Sequence, residues 1–322
     1  MSKIILQVEG LRTYFFTRRG VVKAVDGVSF YVHEGETFGI VGESGCGKTV
    51  TGLSILRLLP EPAGKIVGGK IILDGTDLLE LSKNEMREYR GSMISMILQD
   101  PMTSLNPVYT IGDQIAESVR LHQGVRDEMV KEKVISALRL LQIPSPETIL
   151  GEYPFQMSGG MRQRVVGAIS MSCYPRLLIA DEPTTALDAT IQAQYLALFK
   201  EVQRETNVAI IFITHDFGVV ASICHRVGVM YAGKIVETAT TRELFNNPKH
   251  PYTTALINSV PRLDQKDDRL YSIEGQPPSL IDLPPGCRFS PRCSLAREYC
   301  HEQEPPEVEI SDGHTVSCWR RD

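Results

Sequence analysis

A short segment of the sequence has the residue types and spacing of a phosphate-binding loop. Residues 42–49 read Gly-Glu-Ser-Gly-Cys-Gly-Lys-Thr, which fits the pattern G-x-x-x-x-G-K-(S/T). The apolar run Thr37–Val41 before it predicts a buried strand, and Lys48–Leu59 predicts a helix. Backbone N–H groups of such a loop surround phosphate oxygens, while Lys48 reaches the β- and γ-phosphates and Thr49 binds Mg²⁺. A glycine-rich turn with an incidental lysine is the alternative. The phosphate contacts are assigned to Gly42, Ser44, Gly45, Cys46, Gly47, Lys48 and Thr49.

Two adjacent carboxylates follow a second apolar run. Leu177–Ala180 reads as a buried strand that ends in Asp181 and Glu182. Open α/β sheets bind ligands at the carboxyl ends of their strands, and neighbouring strand residues point to opposite faces. Asp181 can therefore approach Mg²⁺ while Glu182 acts as the general base that polarises the attacking water. Two acids alone would more often form a solvated turn, but the phosphate loop favours the catalytic interpretation.

A histidine ends a third apolar run. His215 follows the predicted strand Val208–Ile213 and a threonine. A lone histidine is most often structural. Its place at the carboxyl end of a strand predicts instead a hydrogen bond to the γ-phosphate or to the attacking water.

The elements that must position these groups alternate between short apolar runs and helical patterns up to about residue 240, which predicts an α/β core with buried parallel strands. A capping box, Ser82 with Glu85, predicts a short helix before the strand 94–98. The pattern from residue 110 to 150 is helical, and Val130, Val134, Leu138 and Leu141 share one face. We therefore expect a domain at 1–240 with a helical subdomain at about 101–157. Frequent prolines indicate a separate C-terminal extension at 241–322.

The composition excludes several classes of protein. The chain has 322 residues, 42% of them apolar and 23% charged, which indicates a folded protein of about two domains. A net charge of −5 does not favour a nucleic-acid partner. Because no apolar run reaches about 18 residues, we expect no membrane span, and the N-terminus predicts no signal peptide.

A glycine pair predicts a second anion site. Met157-Ser158-Gly159-Gly160-Met161-Arg162-Gln163-Arg164 places a helix-capping serine before two glycines whose N–H groups are accessible to a phosphate. This segment resembles the signature motif of ABC ATPases. The resemblance implies that Ser158, Gly159 and Gly160 contact the γ-phosphate of ATP held by a second subunit, so that two chains close head-to-tail over two nucleotides.

Other family motifs follow in the family's order over residues 4 to 260. Gln99 matches the glutamine that senses Mg²⁺ and water, and Asp188 of Ala186-Leu187-Asp188 matches the loop that communicates across the dimer. Phe15 is assigned as the aromatic that stacks on adenine, with Tyr14 as its rival. The resemblance implies an α/β fold: a P-loop NTPase of the ABC nucleotide-binding type with a mixed core sheet, an N-terminal antiparallel β subdomain, an inserted helical subdomain and an irregular C-terminal extension.

Longer strings look like the ATPase subunits of oligopeptide/dipeptide importers. These are residues 42–48, 100–107, 180–194 and 248–253. Met157 and Ala189 depart from the commoner residues of the family, but both remain apolar.

This closer resemblance implies an ATPase that powers di- and oligopeptide import at the cytoplasmic face of the membrane. Its partners would be a second ATPase subunit, identical or related, two permease subunits and an extracytoplasmic peptide-binding protein. Import of nickel or another small solute is one alternative. A non-transport ABC ATPase acting on DNA or the ribosome is another, although such proteins tend to have long insertions, tandem cassettes or basic surfaces.

Four of the seven cysteines lie close together near the C-terminus, and the odd total indicates no disulfide framework. Four thiolates suit either zinc or an iron–sulfur cluster, and their spacing leaves both open. The arrangement looks like that of dipeptide-importer subunits with a 4Fe–4S cluster, which the resemblance therefore implies. Zinc and free thiols are the alternatives. The set is Cys287, Cys293, Cys300 and Cys318.

Arginines adjoin these cysteines and are expected to offset the charge of a thiolate-bound cluster. They are Arg288, Arg292, Arg320 and Arg321. A fifth thiol, Cys46, lies at a helix start, where a thiol pKa can be lowered. Redox control of ATP binding and simple occupancy of a variable loop position are both open for Cys46, and we favour simple occupancy.

Overall fold

The computed structural model describes residues 3–99, 104–185, 187–260 and 272–320. Residues 100–103 of one predicted motif, Ala186 of another, and Arg321 lie outside the described residues. The chain forms two compact units, each built from separate stretches. The first comprises Met1–Leu6, Val32–Glu36 and Leu73–Phe212, and the second comprises Gln7–Tyr31, Thr37–Ile72 and Ile213–Asp322.

The second unit contains most of the N-terminal sheet. Strands β1 (Ile4–Thr17) and β2 (Gly20–His33) are joined by a tight turn and are therefore antiparallel neighbours, and β4 (Gly64–Leu73) lies on the other side of β1. This is the antiparallel subdomain that the resemblance predicted.

A mixed sheet in the same unit includes the strand that precedes the phosphate loop. Strand β3 runs parallel to β9, with Val41 opposite Val229, and β9 is antiparallel to β10. The C-terminal extension adds β12 and β11 beyond β10, with Glu237 opposite Val316. The strands are β3 (Thr37–Val41), β9 (Arg226–Tyr231), β10 (Lys234–Thr240), β11 (Val308–Ser311) and β12 (His314–Val316).

Short helices complete the second unit, and one of them differs from its prediction. The sequence predicted a helix from Lys48 to Leu59, but α1 ends at Ile55. Arg57 adopts a left-handed φ of 52°, and Leu59 precedes a proline, which disfavours helical backbone. The helices are α1 (Lys48–Ile55), α8 (Phe217–Ile223), α9 (Thr241–Asn246), α10 (Pro251–Asn258) and α11 (Glu298–Glu302).

The first unit holds strands β6 (Ile94–Ile97) and β7 (Leu177–Asp181) and most of β8 (Ala209–Thr214), with a two-residue β5 (Thr76–Asp77). Strands β6 and β7 are parallel, with Ile94 opposite Leu177, and β8 lies on the other side of β7. Every residue of β7 and β8 is buried. The prediction of buried parallel strands is confirmed for β3, which is fully buried and parallel to β9, and for β7, which is fully buried and parallel to β6.

Helices cover the rest of the first unit. The predicted capping box is confirmed: Glu85 N donates to Ser82 Oγ at 3.3 Å, and Ser82 N donates to Glu85 Oε2 at 2.7 Å. The helical stretch 110–150 is not continuous, because Gly124 adopts a left-handed φ of 57° at the end of α3 and Gln142 and Ser145 also have positive φ. The helices are α2 (Lys83–Ser92), α3 (Ile111–Gln123), α4 (Asp127–Leu140), α5 (Pro146–Ile149), α6 (Gly159–Met171) and α7 (Ala189–Thr206).

Helix α4 buries the predicted apolar face. Val130, Val134, Leu138 and Leu141 are all buried, and the helix packs against α3 and α6. The predicted boundaries at 101–157 and at residue 240 remain predictions. Among the described residues, no helix combines the length and apolar content that would span a bilayer.

Replacement of Leu138 by alanine would test this packing. Leu138 is fully buried, so we expect Leu138→Ala to lower the free energy of unfolding by about 2–5 kcal/mol through the cavity it leaves. Urea denaturation followed by circular dichroism measures the change. The matched control is Met129→Ala on the same helix, where the side chain is 44% exposed. Equal effects of the two substitutions would contradict the assigned face.

Candidate functional site

The phosphate loop requires glycine at two positions, because a side chain at either would clash with a neighbouring backbone carbonyl. Gly42 has a φ of 159°, and a Cβ there would lie 2.1 Å from the Met230 carbonyl oxygen. Gly47 has a left-handed φ of 110°, and a Cβ there would lie 2.2 Å from the Ala24 carbonyl oxygen. Since α1 begins directly after Gly47, the unpaired N–H groups of its first turn face the loop.

Lys48 lies inside the loop. Its side chain donates from Nζ to the Gly42 carbonyl at 2.7 Å and to the Glu43 carbonyl at 3.0 Å, and the residue is only 5% exposed. Ser44 and Thr49, by contrast, are exposed. The loop therefore offers a buried ammonium group, backbone donors and two accessible hydroxyls to an anion and its metal ion.

The structure brings two of the predicted catalytic residues together in the first unit. Asp181 ends β7 and is buried, and Glu182 follows it with a left-handed φ of 46°. Glu182 Oε2 accepts from Gln99 Nε2 at 3.0 Å and from Thr185 Oγ1 at 3.1 Å. A non-glycine residue with positive φ at a strand end is strained, and such strain is found at functional sites. Gln99 thus orients the Glu182 carboxylate.

The signature segment begins a helix in the same unit, as predicted. Ser158 Oγ accepts from Met161 N at 3.3 Å, and α6 starts at Gly159, which is exposed. Sequence reasoning gave no role to Gln163, which is 1% exposed and donates from Nε2 to the Pro183 carbonyl at 2.7 Å. Helix α6 is thereby tied to the residue after Glu182. The sequence signal that could have indicated this role is a polar residue, Gln163, among the apolar residues of the buried face of α6.

Asp188 has a local role as a helix cap. Its Oδ1 accepts from the N–H groups of Thr190 and Ile191, both at 3.0 Å, at the start of α7. The predicted role in communication across a dimer remains a prediction.

The two candidate adenine-stacking residues have different surroundings in the second unit. The Tyr14 hydroxyl donates to Asp26 Oδ1 at 2.6 Å, and burial together with this bond raises the pKa of Tyr14 to about 12. Phe15 faces the other side of β1, where a Cβ on Gly64 would lie 3.0 Å from its ring. Because the Tyr14 hydroxyl is already bound to Asp26, Phe15 is favoured as the stacking residue.

The predicted catalytic residue His215 is exposed and lies just after β8.

The four C-terminal cysteines line one small cavity of about 20 Å³, together with His250 and Trp319. Burial raises the pKa of Cys287 to about 11. Within the described residues, no three His, Cys, Asp or Glu side chains are grouped closely enough to hold a single metal ion.

Two of the arginines expected to offset the charge of a cluster on these cysteines bind carboxylates instead. Arg288 pairs with Asp26 and donates to the Ala232 carbonyl at 2.6 Å, while Arg292 pairs with Glu43 at 2.7 Å. The expectation was wrong for these two because each guanidinium reaches a partially buried carboxylate of its own unit. Arg320 does line the cysteine cavity.

Two family descriptions match the chain. "ABC transporter" matches residues 25–185, and "Oligopeptide/dipeptide transporter, C-terminal region" matches residues 236–300.

The chain is also similar to curated proteins over nearly its whole length. It is 52% identical to the dipeptide transport ATP-binding protein DppD of Bacillus subtilis, over 99% of this chain and 95% of that protein. It is 54% identical to a probable peptide ABC transporter ATP-binding protein of Sinorhizobium fredii, over 99% of this chain and 96% of that protein.

Solved structures share the fold. The dimeric post-hydrolysis state of an ATP-binding cassette bound to ADP and Pi matches with a TM-score of 0.65 at 22% identity, covering 74% of this chain and 99% of that one. A Clostridium perfringens subunit, cbiO1, described as part of an ABC transporter complex, matches with a TM-score of 0.65 at 25% identity, covering 76% and 92%.

The surroundings of Cys46 lead to a prediction about its reactivity. Cys46 is 5% exposed, and burial raises the pKa of its thiol above the usual value, although Lys48 opposes this. The thiolate therefore forms only as the pH rises past that raised pKa, and the thiol is unreactive near neutral pH. We expect iodoacetamide at pH 7.5 to leave Cys46 unmodified in the folded protein, as measured by mass spectrometry.

The urea-unfolded protein, in which Cys46 reacts as an ordinary cysteine, is the control. Equal rates in the two states, with ATP binding lost on modification, would restore the redox hypothesis.

Proposed function

Because the chain belongs to the ABC transporter family of ATP-binding proteins, we propose that it binds and hydrolyses MgATP to power the import of di- and oligopeptides. The observation that carries the catalytic part is the Gln99–Glu182 pair at 3.0 Å, which holds a carboxylate at the end of a buried strand.

Each residue of the proposed site has its own role in ATP hydrolysis. Glu182 is the general base that accepts a proton from the attacking water, and Gln99 orients it. Lys48 and the backbone N–H groups of residues 42–49 stabilise charge on the phosphates. His215 forms a hydrogen bond to the γ-phosphate or to the attacking water, and Phe15 stacks on adenine. Ser158, Gly159 and Gly160 contact the γ-phosphate of the nucleotide held by a second subunit, and Asp188 belongs to the loop that communicates across the dimer.

The residues assigned to Mg²⁺ fit that ion chemically. Thr49 provides an exposed hydroxyl and Asp181 a carboxylate, and both are hard oxygen ligands. The amide nitrogen of Gln99 donates its hydrogen bond to Glu182. The amide oxygen of Gln99 is therefore the atom that would bind Mg²⁺. The ion would neutralise charge on the β- and γ-phosphates.

Peptides are the proposed cargo because the similar proteins are named for peptide transport, and because residues 236–300 match the C-terminal region of peptide transporters. Nickel or another small solute is not favoured by any of these names. The proposed partners are a second ATPase subunit, two membrane permease subunits and, indirectly, an extracytoplasmic peptide-binding protein. The chain would lie at the cytoplasmic face of the membrane.

We further propose that the four C-terminal cysteines hold a 4Fe–4S cluster. They line one cavity, and His250 lines it as well. Tyr252 N donates to His250 Nδ1 at 3.1 Å, which places the proton of the neutral ring on Nε2. Within the described part of the chain this buried Nε2 has no hydrogen-bond partner, so the cavity suits an electron-rich acceptor such as cluster sulfur.

Zinc is the alternative for the same cysteines, because four thiolates also suit a tetrahedral zinc ion. We prefer the cluster because the arrangement of the four cysteines along the sequence resembles that of dipeptide-importer subunits with a 4Fe–4S cluster.

Glu182→Gln tests the catalytic assignment. The amide cannot accept the proton of the attacking water, so we expect hydrolysis to fall by at least about 100-fold while ATP binding is retained. Phosphate release and equilibrium binding of a fluorescent ATP analogue measure the two effects. Glu205→Gln, an exposed position on α7, is the control. Undiminished hydrolysis in Glu182→Gln would overturn the assignment.

Metal analysis tests the cluster. Anaerobically purified protein is expected to contain about four iron atoms and four acid-labile sulfides per chain. Cys300→Ala should lower both, while Cys173→Ala, in the other unit, should change neither. Stoichiometric zinc without iron would refute the cluster.

A further inference from the structure

The second residue of the phosphate loop is bound by a residue of the C-terminal extension. Arg292 donates from Nη1 to Glu43 Oε2 at 2.7 Å and from Nη2 to Glu43 Oε1 at 3.0 Å. The pair is bidentate, which gives both strength and a defined orientation. The Arg292 side chain is 4% exposed and that of Glu43 is 27% exposed, so water screens this pair less than it screens an ion pair on the open surface.

Other contacts fix the direction of the Arg292 guanidinium before it meets Glu43. Its Nε donates to the Glu274 carbonyl at 3.0 Å, and Nη1 donates to the Tyr231 hydroxyl at 3.3 Å. Its central carbon also lies 5.8 Å from the Tyr231 ring centre and 5.9 Å from that of Phe289. These groups hold the arginine in place, so it can act as a rigid support for the loop.

The backbone of Glu43 is anchored as well. Its N–H donates to the Tyr252 hydroxyl at 3.0 Å, and Tyr252 is fully buried on α10. Glu43 is therefore held through its main chain by α10 and through its side chain by Arg292. Both supports come from residues beyond 250, outside the stretch matched by the ABC transporter family.

Arg292 also removes an electrostatic conflict. Glu43 places a carboxylate within a loop whose ligand carries several negative charges, and like charges at short range oppose binding. Pairing with a buried guanidinium neutralises that carboxylate. Without Arg292, the carboxylate would remain partly buried, unpaired and repulsive to phosphate.

We propose that Arg292 is a positioning residue for ATP binding: it neutralises Glu43 and holds the phosphate loop in its binding conformation. The proposal rests on the nucleotide site proposed above. Because Arg292 directly precedes Cys293, the affinity of the chain for ATP depends on the fold of the cysteine-bearing extension. Arg292 touches no reacting group, so its effect falls on binding.

A double-mutant cycle in the full-length protein tests the proposal. We expect Arg292→Gln to raise the Kd for MgATP by about tenfold or more, because a partly buried carboxylate is left unpaired next to the phosphates, and to leave kcat within about twofold. Glu43→Gln combined with Arg292→Gln removes the unpaired charge and should restore most of the affinity. An arginine that served only to fold the extension would give a loss that Glu43→Gln does not repair.

Controls make the result decisive. Arg297→Gln, at an exposed position of the same extension, should bind ATP like the wild type. If Arg292→Gln does not fold, as judged by circular dichroism, Arg292→Lys keeps the charge but cannot form both bonds, and its Kd should rise by a smaller factor. Wild-type affinity in a folded Arg292 variant, or no rescue in the double variant, would overturn the proposal. Wild-type protein that fails to bind MgATP would instead refute the nucleotide site itself.

Discussion

The close approach of backbone to backbone at Gly42 and Gly47 is the constraint on which the nucleotide loop depends. Carbonyl oxygens of Met230 and Ala24 occupy the space that side chains would need. The Met230 carbonyl reaches that place because β9 runs parallel to β3, with Val41 opposite Val229. The buried sheet therefore holds the loop in a fixed position. This matters because the backbone N–H groups of the loop must all converge on one ligand.

The C-terminal extension is built into the unit that carries this loop. Strands β12 and β11 continue the sheet beyond β10, and Arg288 pairs with Asp26, whose other oxygen accepts from Tyr14. Glu237 on β10 accepts from the N–H groups of Lys249 and His250 and pairs with His314 at 2.8 Å. Partners of this kind are needed because a buried carboxylate without them would be strongly destabilising.

Sequence patterns predicted the local features well. The apolar runs predicted both ends of β3, β7 and β8 to within one residue. Serine followed by glutamate three positions later predicted the start of α2. These signals depend only on neighbours in the chain, so they can be read without knowing the fold. The end of α1 at Ile55 and the break at Gly124 were missed because helical periodicity continues past residues whose backbone turns left-handed.

The sequence by itself predicted which residues bind phosphate, metal ion and water, because each motif is short and its chemistry lies in its residue types. Only the tertiary structure decided which partners the isolated charged and polar residues would take. Arg292 was expected to serve the adjacent cysteines, yet it binds Glu43 from 249 positions away, and Gln163 proved to tie the signature helix to the residue after Glu182. Such pairs are set by which buried groups the fold brings within hydrogen-bond distance, and sequence spacing carries no information about that distance.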